Sequence, residues 1–105
     1  MNAEPGPSNR CRCRLLVLGQ RGSLTGFIQN AAWPKEFTAV ETLELLPTRR
    51  SWQFESRKPP LPYLRALSIR WGHLRFFLDY EAGSTKGLAS FRNGNVEHHR
   101  VSLRP

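Results

Sequence analysis

A chain of 105 residues with 16 basic against 8 acidic side chains has room for one small domain, whose core is marginal because such a domain buries only about 60–65% of its unfolded surface. No apolar run reaches the roughly 18 residues of a membrane-spanning helix. The net charge of +8 suits nucleic acid, an anionic membrane surface or an acidic protein, although a coding bias toward Arg, Pro, Gly and Leu produces the same excess without any ligand.

Residues 1–10, MNAEPGPSNR, read as a disordered lead-in. Leu15 to Leu18 behind arginines is too short for the apolar core of a signal peptide, and Glu4 and the early prolines fit neither secretory nor transit patterns. A cytoplasmic or nuclear protein is expected. Cys11 and Cys13 fall short of a zinc set and read as reduced thiols; the flanking arginines leave a reactive thiol as the rival reading.

Leu15 to Leu18 reads as a buried strand ended by Gly19. The glycines at 19, 22 and 26 mark a turn ahead of FIQNAAW, which receives no assignment. In EFTAVETLELL, Phe37, Val40, Leu43 and Leu46 recur at helical spacing while Ala39, Leu43 and Leu45 also alternate as in a strand, so helix and strand both stay open, with at most one short helix in the chain, near 36–46. Pro47 ends it. SWQFES reads as a strand and SRKPPLP as an extended basic loop, either a plain linker or a docking peptide for a proline-reading partner.

From Leu67 the alternation sharpens. Leu67, Ile69 and Trp71 predict one strand, Leu74 to Tyr80 a second after Gly72, and Asn93-Gly94 a hairpin into a last strand NVEHHRVSL. The predicted fold is mainly β, an antiparallel sandwich-like or partial-barrel domain over residues 11–105. Its exposed sheet edge invites pairing, and a homodimer through that edge is expected to follow.

Chemistry-bearing residues are sparse. His73, His98 and His99 could act as bases beside Asp79, Glu81 and Glu97, but no nucleophile elbow, zinc-helix motif or phosphate-cradling loop is present, so no enzyme, cofactor or metal is expected. His98 and His99 point to opposite faces of a strand and cannot share one metal. Arg65, Arg70, Arg75 and Arg92 with Trp71 form a candidate nucleic-acid surface, arginines tracking phosphates and aromatics stacking on bases. The competing reading places such aromatics in the core and such arginines on a solvated face.

Phe76 to Gly83, FFLDYEAG, resembles the hallmark strand of the PRY-SPRY family of tripartite-motif proteins and butyrophilins, with Leu78 to Gly83 standing as in the family and Ser90, Phe91 and Asn93 similar to its following strand. Val17 to Gly26, VLGQRGSLTG, and PPLP at 59–62 are weaker echoes in the same order. FIQNAAW departs from the aromatic-Trp-Glu-Val strand of that family, and the closing strands are absent. The resemblance implies a β-sandwich that binds protein through loops, without cofactor or catalysis, in which the matched positions are scaffold. The recognition loop is then RRSWQFESRKPP, with Arg49, Arg50, Arg57 and Lys58 framing Trp52 and selecting an acidic patch on a protein partner. Trp52 as core is the alternative.

Overall fold

A computed structural model describes residues 10–30 and 32–103, so the lead-in predicted over 1–10 falls outside the described residues except for Arg10. The elements run β1 (Cys11–Leu18), α1 (Arg21–Asn30), β2 (Thr38–Leu46), β3 (Arg49–Ser56), α2 (Leu61–Arg70), β4 (Arg75–Ala82), β5 (Thr85–Arg92) and β6 (Asn95–Ser102). All strands join one six-stranded sheet in the order β2-β3-β1-β4-β5-β6, every neighbouring pair antiparallel. The first six elements follow the β-α-β-β-α-β split arrangement, with β1 held between β3 and β4. The last two strands continue the sheet as a meander. The predicted mainly β, antiparallel class is the observed one, with two helices as the layer that covers the sheet.

Burial shows which face they cover. Along β1 the residues alternate strictly at first: Cys11, Cys13, Leu15 and Val17 are buried, while Arg12 and Arg14 are exposed. Register then carries this parity across the sheet, placing Leu15 beside Trp52 and Leu78, and Val17 beside Phe76. Helix α1 lays Leu24 and Phe27 on this floor, and α2 adds Leu64. The Phe27 ring sits edge-on to Trp33, Trp52, Trp71 and Phe76 at centroid distances of 5.5–6.3 Å, the geometry aromatic quadrupoles favour.

Three local expectations are corrected. Residues 38–46 form β2, not a helix; it is an edge strand with register shifts at Thr38/Glu41 and Thr42/Glu44, and those shifts throw the apolar residues out of period 2 and into an accidental helical spacing. Residues 61–70 form α2, not the extended loop and strand expected there. Pro62 lies in the first turn, where its missing N–H costs nothing, and the helix stops where the Trp71 N–H bonds the Leu67 carbonyl at 2.9 Å. The glycine-marked segment after Gly19 is α1, because Leu24 and Phe27, three apart, form a buried stripe that tertiary packing rewards despite Gly22 and Gly26.

The C-terminal meander follows the sequence closely. Asn93 and Gly94 have φ of 50° and 86°, the two positive angles of a type I′ turn. Gly87 has a different reason: a Cβ there would stand 2.1 Å from Cζ of Tyr80. The Tyr80 ring lies across that gap and brings its hydroxyl to 2.6 Å from Nε2 of His98 on β6.

Candidate functional site

The residues expected to bind separate once folded. Trp52 is 6% exposed and packs between Phe27 and Trp33, so its place is the core. Arg49 and Arg50 stand at the start of β3 and Arg57 and Lys58 just past its end, roughly 20–25 Å apart at the rise of a strand. RRSWQFES is thus strand β3, and only RKPP beyond it lies outside an element. Arg65 and Arg70 lie on α2 and Trp71 at its C-cap, whereas Arg75 opens β4 and Arg92 closes β5. The latter pair belongs to the opposite side of the sheet.

The sheet divides the charge. The open face carries Glu41 and Glu44 of β2, Glu55 of β3, Asp79 and Glu81 of β4 and Glu97 of β6, by the same register parity that buries Cys13, Trp52 and Leu78 on the other side. Arginines answer them there. Arg12 meets Glu81 at 3.0 Å, Arg49 meets Glu44 at 3.0 Å and Arg10 meets Glu55 at 3.3 Å; the hydrogen bond from Arg49 holds the Glu44 carboxyl below its ordinary range. Apolar groups share this face, with Leu16, Phe77 and Leu88 lining a shallow depression of about 460 Å³ beside Arg14, Asp79 and His99.

The helix side is different. Neither α1 nor α2 contains an acidic residue. Around them stand Arg21, Lys35, Arg50, Arg57, Lys58, Arg65, Arg70 and Arg100, and Glu36 is the one acidic residue outside the open face among the described residues. Arg50 and Arg65 spend their Nε–H groups on the backbone carbonyls of Leu46 and Gly94, each at 3.0 Å. The other six cations make no ion pair among the described residues. At the margin of this layer Arg57, Lys58, Lys35 and Glu36 line a groove of about 1070 Å³ walled by Phe37, Pro59, Pro60 and Tyr63, which Arg10, paired with Glu55, also lines. Burial raises the pKa of the Tyr63 phenol, so it stays a donor, bonding the Ala32 carbonyl at 3.3 Å.

Lys35 carried no signal in the sequence that joins it to this groove. Nothing in spacing joins residues 35 and 57; only the antiparallel return of β3 beside β2 does so.

The thiols sit under the helices. Cys11 Sγ and Cys13 Sγ are 3.6 Å apart, with Ser56 Oγ 3.6 Å from Cys13. Their mutual hydrogen bond lowers the pKa of Cys11 and, with burial, raises that of Cys13. Both are free and buried, and no group of three or more His, Cys, Asp or Glu with metal-ligating geometry occurs among the described residues. His98 and His99 do take opposite faces of β6, the register pairing them with Ala89 and Leu88.

Comparison with known proteins places no relative beside this chain: no family model matches, and no curated protein or solved structure matches either.

Proposed function

We propose that the protein is a non-catalytic binding module that docks the phosphate backbone of a nucleic acid against its helix-side layer. One observation carries this reading: the acidic residues of the described chain are gathered, Glu36 excepted, on the open face, leaving the helix layer with unanswered cations. Over α2 itself only Ile69 of the large apolar side chains is strongly exposed, so the helix presents mainly charge. Phosphates reward that composition, because each neutralised phosphate releases condensed counterions. Base readout is not part of the proposal, since Trp52 is core and Trp71 is half-buried against Phe27.

The test is a titration of mixed-sequence single- and double-stranded oligonucleotides at several salt concentrations. Log affinity should fall linearly with log salt, by about 0.9 per phosphate contacted on duplex. Arg57→Gln, Lys58→Gln and Arg70→Gln should each reduce that slope by about one contact. Binding undetectable at low salt removes the reading.

A second reading has an observation of its own. The groove at Arg57 and Lys58 has apolar walls, Phe37, Pro59, Pro60 and Tyr63, and so suits an acidic protein segment with an aromatic or aliphatic anchor, the kind of partner a PRY-SPRY-like module implies. Binding of this type survives moderate salt and is lost on Tyr63→Ala.

A further inference from the structure

The two margins of the sheet are built differently. Edge strand β2 carries two register shifts and a non-glycine residue, Ala39, at φ 54°, interruptions that blunt an edge against further pairing. Edge strand β6 has none. Its register with β5 is unbroken from Asn95 to Ser102, it contains no proline, and it is exposed on both faces apart from half-buried His98.

The hairpin fixes which backbone groups are spare. A two-residue type I′ turn makes Arg92 and Asn95 the first mutually hydrogen-bonded pair, and bonded pairs then alternate along an antiparallel ladder. The bond from Leu103 N–H to the Ser84 carbonyl, just beyond the paired residues, keeps the same alternation. Asn95, Glu97, His99 and Val101 therefore bond inward to β5. The N–H and C=O groups of Val96, His98 and Arg100 point outward, away from the sheet.

We propose that this edge pairs with β6 of a second copy, antiparallel, about a two-fold axis perpendicular to the sheet and passing through His98. Such an axis keeps each face on its own side, so only residues of the same face can stand opposite each other, and the pairing must centre on a residue. Charge selects which one. Centred on His98, the Glu97 carboxylate faces the His99 imidazole of the second copy, and symmetry repeats the contact. Centred on His99, Arg100 faces His98 twice; centred on Glu97, two carboxylates oppose each other and fewer residues pair. A carboxylate accepts a hydrogen bond from a facing imidazole N–H, two facing carboxylates repel, and an arginine gains no free acceptor from His98, whose Nε2 already bonds Tyr80; this leaves the His98 register, in which the two His98 rings meet at the axis. Both helix layers then lie on one side of a continuous sheet, and the cationic surface is doubled. The pairing rests on the strand edge alone and does not require nucleic-acid binding.

Sedimentation of the full chain should show a species of twice the 12.1 kDa chain mass, with the amides of Val96, His98 and Arg100 protected from hydrogen exchange at high concentration and exposed on dilution. Arg100→Pro removes an outward N–H and no bond to β5, so it should give a folded monomer. Glu97→Lys should weaken association about tenfold by placing a cation against His99, and Glu97→Lys with His99→Glu should restore it. A monomer at all concentrations, a dimer indifferent to Arg100→Pro, or protection mapped to β2 overturns the proposal. So does failure of the exchanged pair to recover association while circular dichroism shows both variants folded.

Discussion

The two faces of the sheet solve opposite problems with the same residue types. On the open face the carboxylates nearly balance the cations, and Arg10, Arg12 and Arg49 pair with them; on the helix face arginines and lysines surround two helices that contain no acids. A net charge of +8 is therefore not spread over the molecule. It is concentrated in one layer, so the field felt by a ligand depends on its side of approach. The core lies under the charged layer, so packing and charge on the helix side can be perturbed independently of the open face.

The strongest way to break the comparison is through that core. Trp52→Ala removes a ring from the cluster around Phe27 and should cost about 3–5 kcal/mol, a large share of the stability of a small domain. Phe77→Ala, on the open face and half-buried, should cost about 1 kcal/mol, because water already reaches much of its ring. Urea unfolding of the two variants checks the difference, and equal losses would mean that both faces are packed alike. Loss of binding in Trp52→Ala would by itself report unfolding and not a lost contact.

Charge reversal sharpens the comparison next. Arg57→Glu, Lys58→Glu and Arg70→Glu together should weaken oligonucleotide binding by about 100-fold or more at low salt, since several phosphate contacts turn repulsive. Arg14→Glu and Arg75→Glu on the open face should change it far less. Filter binding at fixed salt separates the two sets.

The course of the chain explains why the sequence showed one part of this and not the other. From Arg75 to Arg92 alternation and Gly83 agree, because the covered face of the sheet demands a single register there, and the Asn93-Gly94 turn then sets the register of the exposed β6. The edge strand β2 is exposed nearly throughout and bulged, so no burial pattern was written into it. In α2, Leu67, Ile69 and Trp71 imitate a strand only because Leu67 and Trp71 are also one helical turn apart; Ile69, between them, is 51% exposed. Pro60 and Pro62 were the available signal of a helix start. Total charge was legible from composition, but its segregation was not. Whether Glu55 or Asp79 shares a face with Arg12 is decided by register between strands far apart in sequence.

A smaller effect tests how the helix layer is tied to the meander. Ser68 is fully buried; its hydroxyl donates to the Arg65 carbonyl at 2.7 Å and accepts the Gly94 N–H at 2.9 Å. Ser68→Ala strands that N–H at the tip of the β5–β6 turn and should cost about 1–2 kcal/mol. The same variant should raise amide exchange at Gly94 and Asn95 before it affects β1, a sequence of opening that hydrogen exchange resolves.

The smallest effect belongs to Tyr80 and His98, where the helix side runs out toward β6. Desolvation, aided by Arg100 and His99, lowers the pKa of the His98 imidazole from its ordinary value of 6.5, and burial raises the Tyr80 phenol above 10. In the folded state the Tyr80 hydroxyl and Nε2 of the His98 ring share a hydrogen bond. A depressed histidine pKa means that the unfolded chain binds the proton more readily, so the stability His98 contributes is present above pH 6.5 and declines as pH falls below it. A raised tyrosine pKa acts in reverse, with stability present below pH 10 and declining above. Thermal unfolding should therefore show a plateau between these limits. His98→Gln should flatten the acid shoulder and Tyr80→Phe the alkaline one, and an acid shoulder unchanged in His98→Gln would assign it to the carboxylates of the open face, whose ion pairs also fail as pH falls.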